Sequence, residues 1–224
     1  IDPAHISPFM ILSFCYLVGA GPGDPGLISV KGRACLERAD VVIYDYLCNP
    51  ALLRWAPESA EKIYVGKKAG AHTLSQEEIN ALLVSRTKAG QIVVRLKGGD
   101  PLLFGRGAEE AEALAEKGCA FEIVPGVTSA IAGPAYAGIP VTHRAHNAMV
   151  TIFTGHEEPG KPESALDYAA VARAPGTKLM LMGVERLEAI AGELLSAGMP
   201  SGTPVALIRW ATTGGQQTLE GTLA

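Results

Sequence analysis

Short apolar runs alternate with longer amphipathic stretches along the chain, and glycine or proline marks most of the changes. Phe14-Cys15-Tyr16-Leu17-Val18-Gly19 reads as a strand that stops at the turn-rich Gly19-Ala20-Gly21-Pro22-Gly23-Asp24-Pro25. The spacing then predicts a helix over 30–39 and short strands over 40–44 and 63–65. Ser75, three positions before Glu78, makes a capping box; a helix should start there, bury Ile79, Leu82 and Leu83, and end at Gly90. Strands over 91–96 and 120–124 flank a helix over 108–117. Such alternation predicts a mainly parallel sheet with crossover helices.

Pro125-Gly126 is the best domain boundary, giving an N-terminal α/β domain over 14–124 and a C-terminal α/β domain over 125–224. In the second, Gly133 and Pro134 should kink or shorten a helix over 127–137. Strands are expected over 148–154, 178–182 and 205–210, with helices over 164–173 and 185–197. A last strand over 217–221 would return by a hairpin through Gly214-Gly215.

The 224 residues are 48% hydrophobic and 19% charged, enough apolar side chain to offset the entropy of ordering, which excludes disorder as the main state. A net charge of −4 without a basic stripe argues against a nucleic-acid partner. The longest mainly apolar stretch, 9–20, is too short for a spanning helix and runs into glycine and proline, so no membrane partner is expected. Cys15, Cys35, Cys48 and Cys119 have no zinc-knuckle spacing and read as buried thiols in a reducing cytoplasm. His143 and His146 stand three apart without a metalloprotease pattern, so no metal is expected. Neither a nucleophile elbow nor a P-loop is present.

Candidate chemistry gathers where strands end. The glycines of Gly19-Ala20-Gly21-Pro22-Gly23-Asp24 could bring backbone close to a ligand, or form a tight turn. Pro22 and Pro25 break a dinucleotide fingerprint, and Asp24 would repel a phosphate, so a phosphate-free ligand fits better. Asp45 ends an apolar strand at the edge where open parallel sheets place ligands; it could take a proton or cap the following loop. Lys67-Lys68 could meet substrate carboxylates, although a solvated turn suits their chemistry better. Lys97-Gly98-Gly99-Asp100-Pro101 exposes backbone N–H groups beside a carboxylate, and Gly105-Arg106-Gly107 presents an arginine; this much glycine favours ligand contact. Thr128 and Ser129 are helix caps or ligand hydroxyls, and Met182 at a strand end is core or a ligand contact.

Taken together and in order, Val18 to Pro25, Ala39 to Asp45, Val65-Gly66-Lys67-Lys68, Val94 to Pro101, Phe104-Gly105-Arg106-Gly107, Pro125 to Ala130, and Ala135 to Pro140 through Thr142-His143-Arg144 cover most of the chain. In this combination the sequence resembles the tetrapyrrole methyltransferases, and among them those that C-methylate uroporphyrinogen III. The resemblance implies the class III tetrapyrrole methylase fold, two α/β domains with a cleft between them, acting as a homodimer. It implies two methyl transfers from S-adenosyl-L-methionine to C2 and C7 of uroporphyrinogen III, giving precorrin-2 by way of precorrin-1 and leaving S-adenosyl-L-homocysteine, for sirohaem or cobalamin synthesis. The alternatives are a methyltransferase of a later precorrin or cobalt-precorrin, a nucleotide-dependent oxidoreductase, and a non-enzymatic ligand-binding module.

Carried over by motif, Pro22, Gly98, Gly99, Asp100, Leu103, Thr128, Ser129, Met182 and Ala211 would line the cofactor site. Asp45 matches the family's proposed base and Lys67 its proposed proton donor, while Lys68, Arg95, Arg106 and Arg144 would meet substrate carboxylates. Two positions depart from the pattern: Ala211 stands where glycine is common, and Leu181 where tyrosine often precedes the cofactor methionine. The resemblance also implies one more apolar strand after the region of Ala224.

Overall fold

The computed structural model describes residues 13–66, 74–156 and 166–224. The chain divides into two compact units between Thr128 and Ser129, where the sequence suggested a boundary after Val124. The first carries β1 (Phe14–Gly19), α1 (Val30–Leu36), β2 (Val41–Tyr44), β3 (Glu61–Tyr64), α2 (Gln76–Lys88), β4 (Ile92–Lys97), α3 (Gly107–Glu116) and β5 (Phe121–Val124). Its five strands lie in the order β3-β2-β4-β1-β5, every pair parallel.

Both faces of this sheet are covered, which is why its strands read as continuous apolar runs. Val18, Val42, Val94, Leu96 and Val124 pack on one side with Leu36 and Leu52. Leu17, Val41, Ile43 and Val93 pack on the other with Leu83 and Leu114. The two-residue period of a strand sorts neighbours such as Leu17 and Val18 to opposite cores. Each wholly buried leucine contributes ~1.5–3 kcal/mol.

The elements differ from expectation where local chemistry intervenes. Helix α1 ends at Leu36, because the amides of Arg38 and Ala39 turn to the carbonyls of Cys35 and Leu36 in a tighter final turn. Strand β3 begins at Glu61 rather than Ile63; it is an edge strand whose polar first residues pair with Val41 and Val42. A 3-10 helix over Pro50–Trp55, capped by Asn49 through the Ala51 amide (2.9 Å), buries Leu52 without any periodic signal in the sequence.

The second unit carries α4 (Ser129–Tyr136), β6 (Val150–Thr154), α5 (Tyr168–Arg173), β7 (Thr177–Leu181), a 3-10 turn over Val184–Arg186, α6 (Leu187–Ser196), β8 (Pro204–Arg209) and β9 (Gln217–Thr222). Helix α4 is short and holds Pro134 within it. Strands β6 and β7 pair in parallel, whereas β8 and β9 form an antiparallel hairpin. Phe153, Val171, Ile190 and Leu194 form its core.

Candidate active site

In the first unit, the loops after β1, β2, β4 and β5 leave the same edge of a parallel sheet, where ligands of such sheets bind. Three of these loops touch through backbone. A Cβ on Gly19 would stand 2.4 Å from the Gly126 Cα, and one on Gly126 would stand 2.2 Å from the Gly99 carbonyl oxygen. Gly21 and Gly99 also exchange backbone hydrogen bonds, Gly99 N–H to Gly21 O at 2.8 Å and Gly21 N–H to Gly99 O at 3.3 Å. Only glycine allows this approach, so these residues serve first to let loops meet.

Asp100 completes the junction. Its Oδ1 accepts from the amides of Leu102 (2.8 Å) and Leu103 (3.2 Å), and its Oδ2 from the amide of Gly126 (3.0 Å). Oδ1 thus already accepts twice, whereas Oδ2 keeps a second lone pair for a ligand hydroxyl or amine. Asp24 caps the 3-10 turn after Pro22 through the Gly26 amide (2.7 Å). Pro22 and Leu103 are half-buried beside these turns.

Asp45 follows β2 directly and is mostly buried. Its Oδ1 accepts from the Leu47 amide (3.0 Å), and its Oδ2 stands 3.2 Å from Nη2 of Arg95. Asp45 therefore caps its loop, the second of the two readings, and also places a carboxylate oxygen beside a cation.

Arg95 corrects one expectation. Only 4% of its side chain is exposed, so it does not line an open substrate cleft. Its Nε donates to Glu110 Oε1 (3.0 Å) and its Nη1 to the Leu96 carbonyl (3.0 Å). Burial pulls its pKa down, but Glu110 and Asp45 outweigh that and hold the guanidinium charged. Lys97, two residues on and therefore on the same face of β4, donates to the same Glu110 oxygen at 2.7 Å. Burial, and then the Arg95 charge, push its pKa down. Glu110 on α3 has no exposed surface, and among the described residues its Oε2 has no hydrogen-bond partner. Asp45, Arg95, Glu110 and Lys97 thus form a buried quartet with two charges of each sign. Sequence reasoning missed Glu110 and named Lys97 only within a ligand-contact loop, yet a signal existed: Glu110 lies one turn before Leu114, on the face that α3 buries.

Arg106 sits at the start of α3 with φ 57° and grips Glu109 through two bonds, Nε to Oε1 (2.8 Å) and Nη2 to Oε2 (2.7 Å). Its side chain remains more than half exposed. Lys67 and Lys68 lie outside the described residues. Thr128 ends this unit, its Cα 4.0 Å from where a Cβ on Gly99 would stand.

In the second unit, Ser129 opens α4, and Met182 follows β7 at φ 57° with about half its surface exposed (53%). Ala211 precedes Thr212, another residue at positive φ (64°). The Ala211 methyl stands 3.3 Å from where a Cβ on Gly133 of α4 would be, so this departure from the pattern is accommodated against a glycine. Such left-handed residues cost of order 1–3 kcal/mol each and cluster at ligand sites. Arg144 is exposed in a turn closed by His143 and Asn147. The rings of His143 and His146 stack at 4.7 Å, and among the described residues no three His, Cys, Asp or Glu side chains could hold a metal.

Comparison with known proteins finds similarity over most of the chain. A family model for Tetrapyrrole (Corrin/Porphyrin) Methylases matches residues 15–224. An S-adenosyl-L-methionine-dependent uroporphyrinogen III methyltransferase of Methanosarcina barkeri is 55% identical over 209 residues, 93% of this chain and 82% of that protein. The solved uroporphyrin III C-methyl transferase of Thermus thermophilus is 42% identical with a TM-score of 0.81, covering 94% of this chain and 88% of its own. A cobalt precorrin-4 methyltransferase superposes as well, TM-score 0.82, at 31% identity, covering 94% of this chain and 85% of that one. With its glycine junction, its strand-end carboxylates and a family match over nearly every residue, this chain belongs to the tetrapyrrole (corrin/porphyrin) methylases.

Proposed function

We propose that the protein transfers two methyl groups from S-adenosylmethionine to C2 and C7 of uroporphyrinogen III, giving precorrin-2 by way of precorrin-1, for sirohaem or cobalamin synthesis. The observation that carries this reading is the chain-long identity to the M. barkeri enzyme. The later-precorrin reading is weaker, because the cobalt precorrin-4 enzyme shares the fold at much lower identity.

The residues suit such a methyl donor. It has no phosphate, and Gly99 leaves open the space a Cβ would fill, with nothing nearer than the Thr128 Cα at 4.0 Å. In the first unit, Asp100 and Thr128 offer acceptors for ribose hydroxyls or an ammonium, and Pro22 and Leu103 offer apolar surface; in the second, Ser129 offers an acceptor, and Met182 and Ala211 apolar surface. When bound, S-adenosylmethionine supplies a methyl carbon made electrophilic by its sulfonium.

Asp45 accepts from pyrrole N–H groups, stabilises the positive charge that the ring gains on alkylation, and assists loss of the proton. Arg95 holds that carboxylate in place through Nη2, 3.2 Å from Oδ2. Lys67 is the proton donor, and Lys68, Arg106 and Arg144 meet the substrate's carboxylates. Orienting the reacting carbon and the methyl group in line is itself a large part of catalysis. The working species is a homodimer, which light scattering tests.

Calorimetry should show binding of S-adenosylmethionine and S-adenosylhomocysteine but not NADH. Anaerobic incubation with uroporphyrinogen III should then yield precorrin-2. Binding without turnover on this substrate, but turnover on a later precorrin, would transfer the assignment. No adenosyl binding by folded protein would overturn it.

A further inference from the structure

We propose that Glu110 and Lys97 are positioning residues that act on Asp45 through Arg95. The inference rests on the reading of Asp45 as the group that meets the pyrrole nitrogens, and extends it to two buried side chains.

Geometry supplies the first argument. All three guanidinium nitrogens of Arg95 are engaged: Nε by Glu110, Nη1 by the Leu96 carbonyl and Nη2 by Asp45. A planar group fixed at each nitrogen cannot rotate, so the Asp45 oxygen it faces is fixed as well. Glu110 is in turn held from α2, where Gln76 Nε2 reaches the same oxygen at 3.4 Å. One Glu110 oxygen serves Arg95, Lys97 and Gln76, while the other is left without a partner among the described residues. A bidentate pair with one arginine would be the stronger bridge, whereas here a single oxygen is shared among three donors. Buried ion pairs also gain little over apolar packing, so this quartet is poorly explained as a stability device.

Charge supplies the second argument. The Asp45 carboxylate faces Arg95 from β4 and the Cys48 thiol from its own loop, 3.7 Å away. Arg95 faces Glu110 from α3, and the buried Cys15 of β1 lies close enough to both to feel their charges. Lys97 from β4 closes the set, and Cys119 after α3 lies beyond Cys15. Glu110 shares the Arg95 charge with Asp45, and Lys97 sets how strongly Glu110 does so. Neutralising Glu110 gives Asp45 the whole of Arg95 and weakens it as a base. Neutralising Lys97 makes Glu110 compete harder and strengthens that base.

The test is a cycle of Glu110→Gln, Lys97→Met and the double variant, read in two ways. The first is the acid limb of kcat/KM against pH with uroporphyrinogen III. The second needs no substrate: the pH midpoint of the Asp45 carboxyl carbon in 13C-labelled protein, assigned with Asp45→Asn. Glu110→Gln should move both midpoints down by about half a pH unit or more, and Lys97→Met should move both up. The double variant, neutral again, should return towards wild type. Glu110→Gln should also lower kcat by about tenfold, less than the ~10²–10⁴-fold loss on removing a general base. S-adenosylhomocysteine affinity should stay unchanged. Single variants that leave the midpoints in place, or move them in the same direction, overturn the proposal. If Glu110→Gln fails to fold, Lys97→Met alone decides by the sign of its shift. A wild-type protein inactive on uroporphyrinogen III would sink the functional reading, while the carbon titration still judges this one.

Discussion

Asp45 holds its carboxylate against one cation and one backbone amide, so its removal also leaves Arg95 and the Leu47 amide without that acceptor. Asp45→Ala should lower kcat by ~10²–10⁴-fold and leave S-adenosylhomocysteine binding within about twofold; a variant with full turnover would refute the role. The thiols give a second prediction at this scale. Burial raises the pKa of Cys15, Cys35 and Cys48, with Glu110 adding to the rise at Cys15 and Asp45 at Cys48. The folded chain then keeps these protons where the unfolded chain loses them, above about pH 8.5. Stability from this source is complete below that pH and declines as pH rises beyond it. Lys97, whose pKa is lowered by burial, works the other way as pH approaches its ordinary value, but one amine faces three thiols. Thermal melts should therefore fall from pH 8 towards 10, and Cys15→Ala should flatten the slope. The sequence read all four cysteines as buried thiols, and the structure buries them. It misplaced Arg95, because a lone arginine in a strand gives no sign of the carboxylates that two other elements will bring to it.

Among the elements, α2 was the most legible, since its start is encoded within four residues. Ser75 Oγ accepts from the Glu78 amide (3.2 Å), and a Glu78 carboxylate oxygen accepts from the Ser75 amide (2.6 Å). Ser75→Ala should cost about 1 kcal/mol in urea unfolding with no change in the slope of the transition. Strands β1 and β4 were legible because both their faces are apolar. The start of β3 was hidden by Glu61 and Lys62, which its edge position tolerates, and the Pro50–Trp55 turn is too short to show a period. Of the candidate site, the glycine turns were visible as motifs. The contacts between them were not, because they depend on strand order, and an order in which β1 lies between β4 and β5 cannot be read from chain order.

For the molecule as a whole, the balance of charge sets a problem. On the proposed function, a chain of net charge −4 receives a polycarboxylate, which requires local attraction. Arg106 and Arg144 are exposed, and Arg95 is withdrawn from that group by burial. Substrate KM should rise as salt increases from about 0.01 M to about 0.15 M, where the screening length falls from about 30 to about 8 Å. Arg106→Ala and Arg144→Ala should raise KM and flatten that dependence, which steady-state assays across salt would show. A KM indifferent to salt would reject the grouping.

The glycine junction has a consequence for genetics. A methyl group at Gly19 or Gly126 would collide with main-chain atoms, and no exchange of a side chain elsewhere can remove those. Loss-of-function alleles at these two codons should lack second-site suppressors. Gly98 is different, because its added methyl would meet the Leu47 Cβ at 2.4 Å, an atom that mutation can delete. A Gly98→Ala allele should therefore be rescued by Leu47→Gly, and a suppressor screen would sort these glycines by whether the obstacle is heritable.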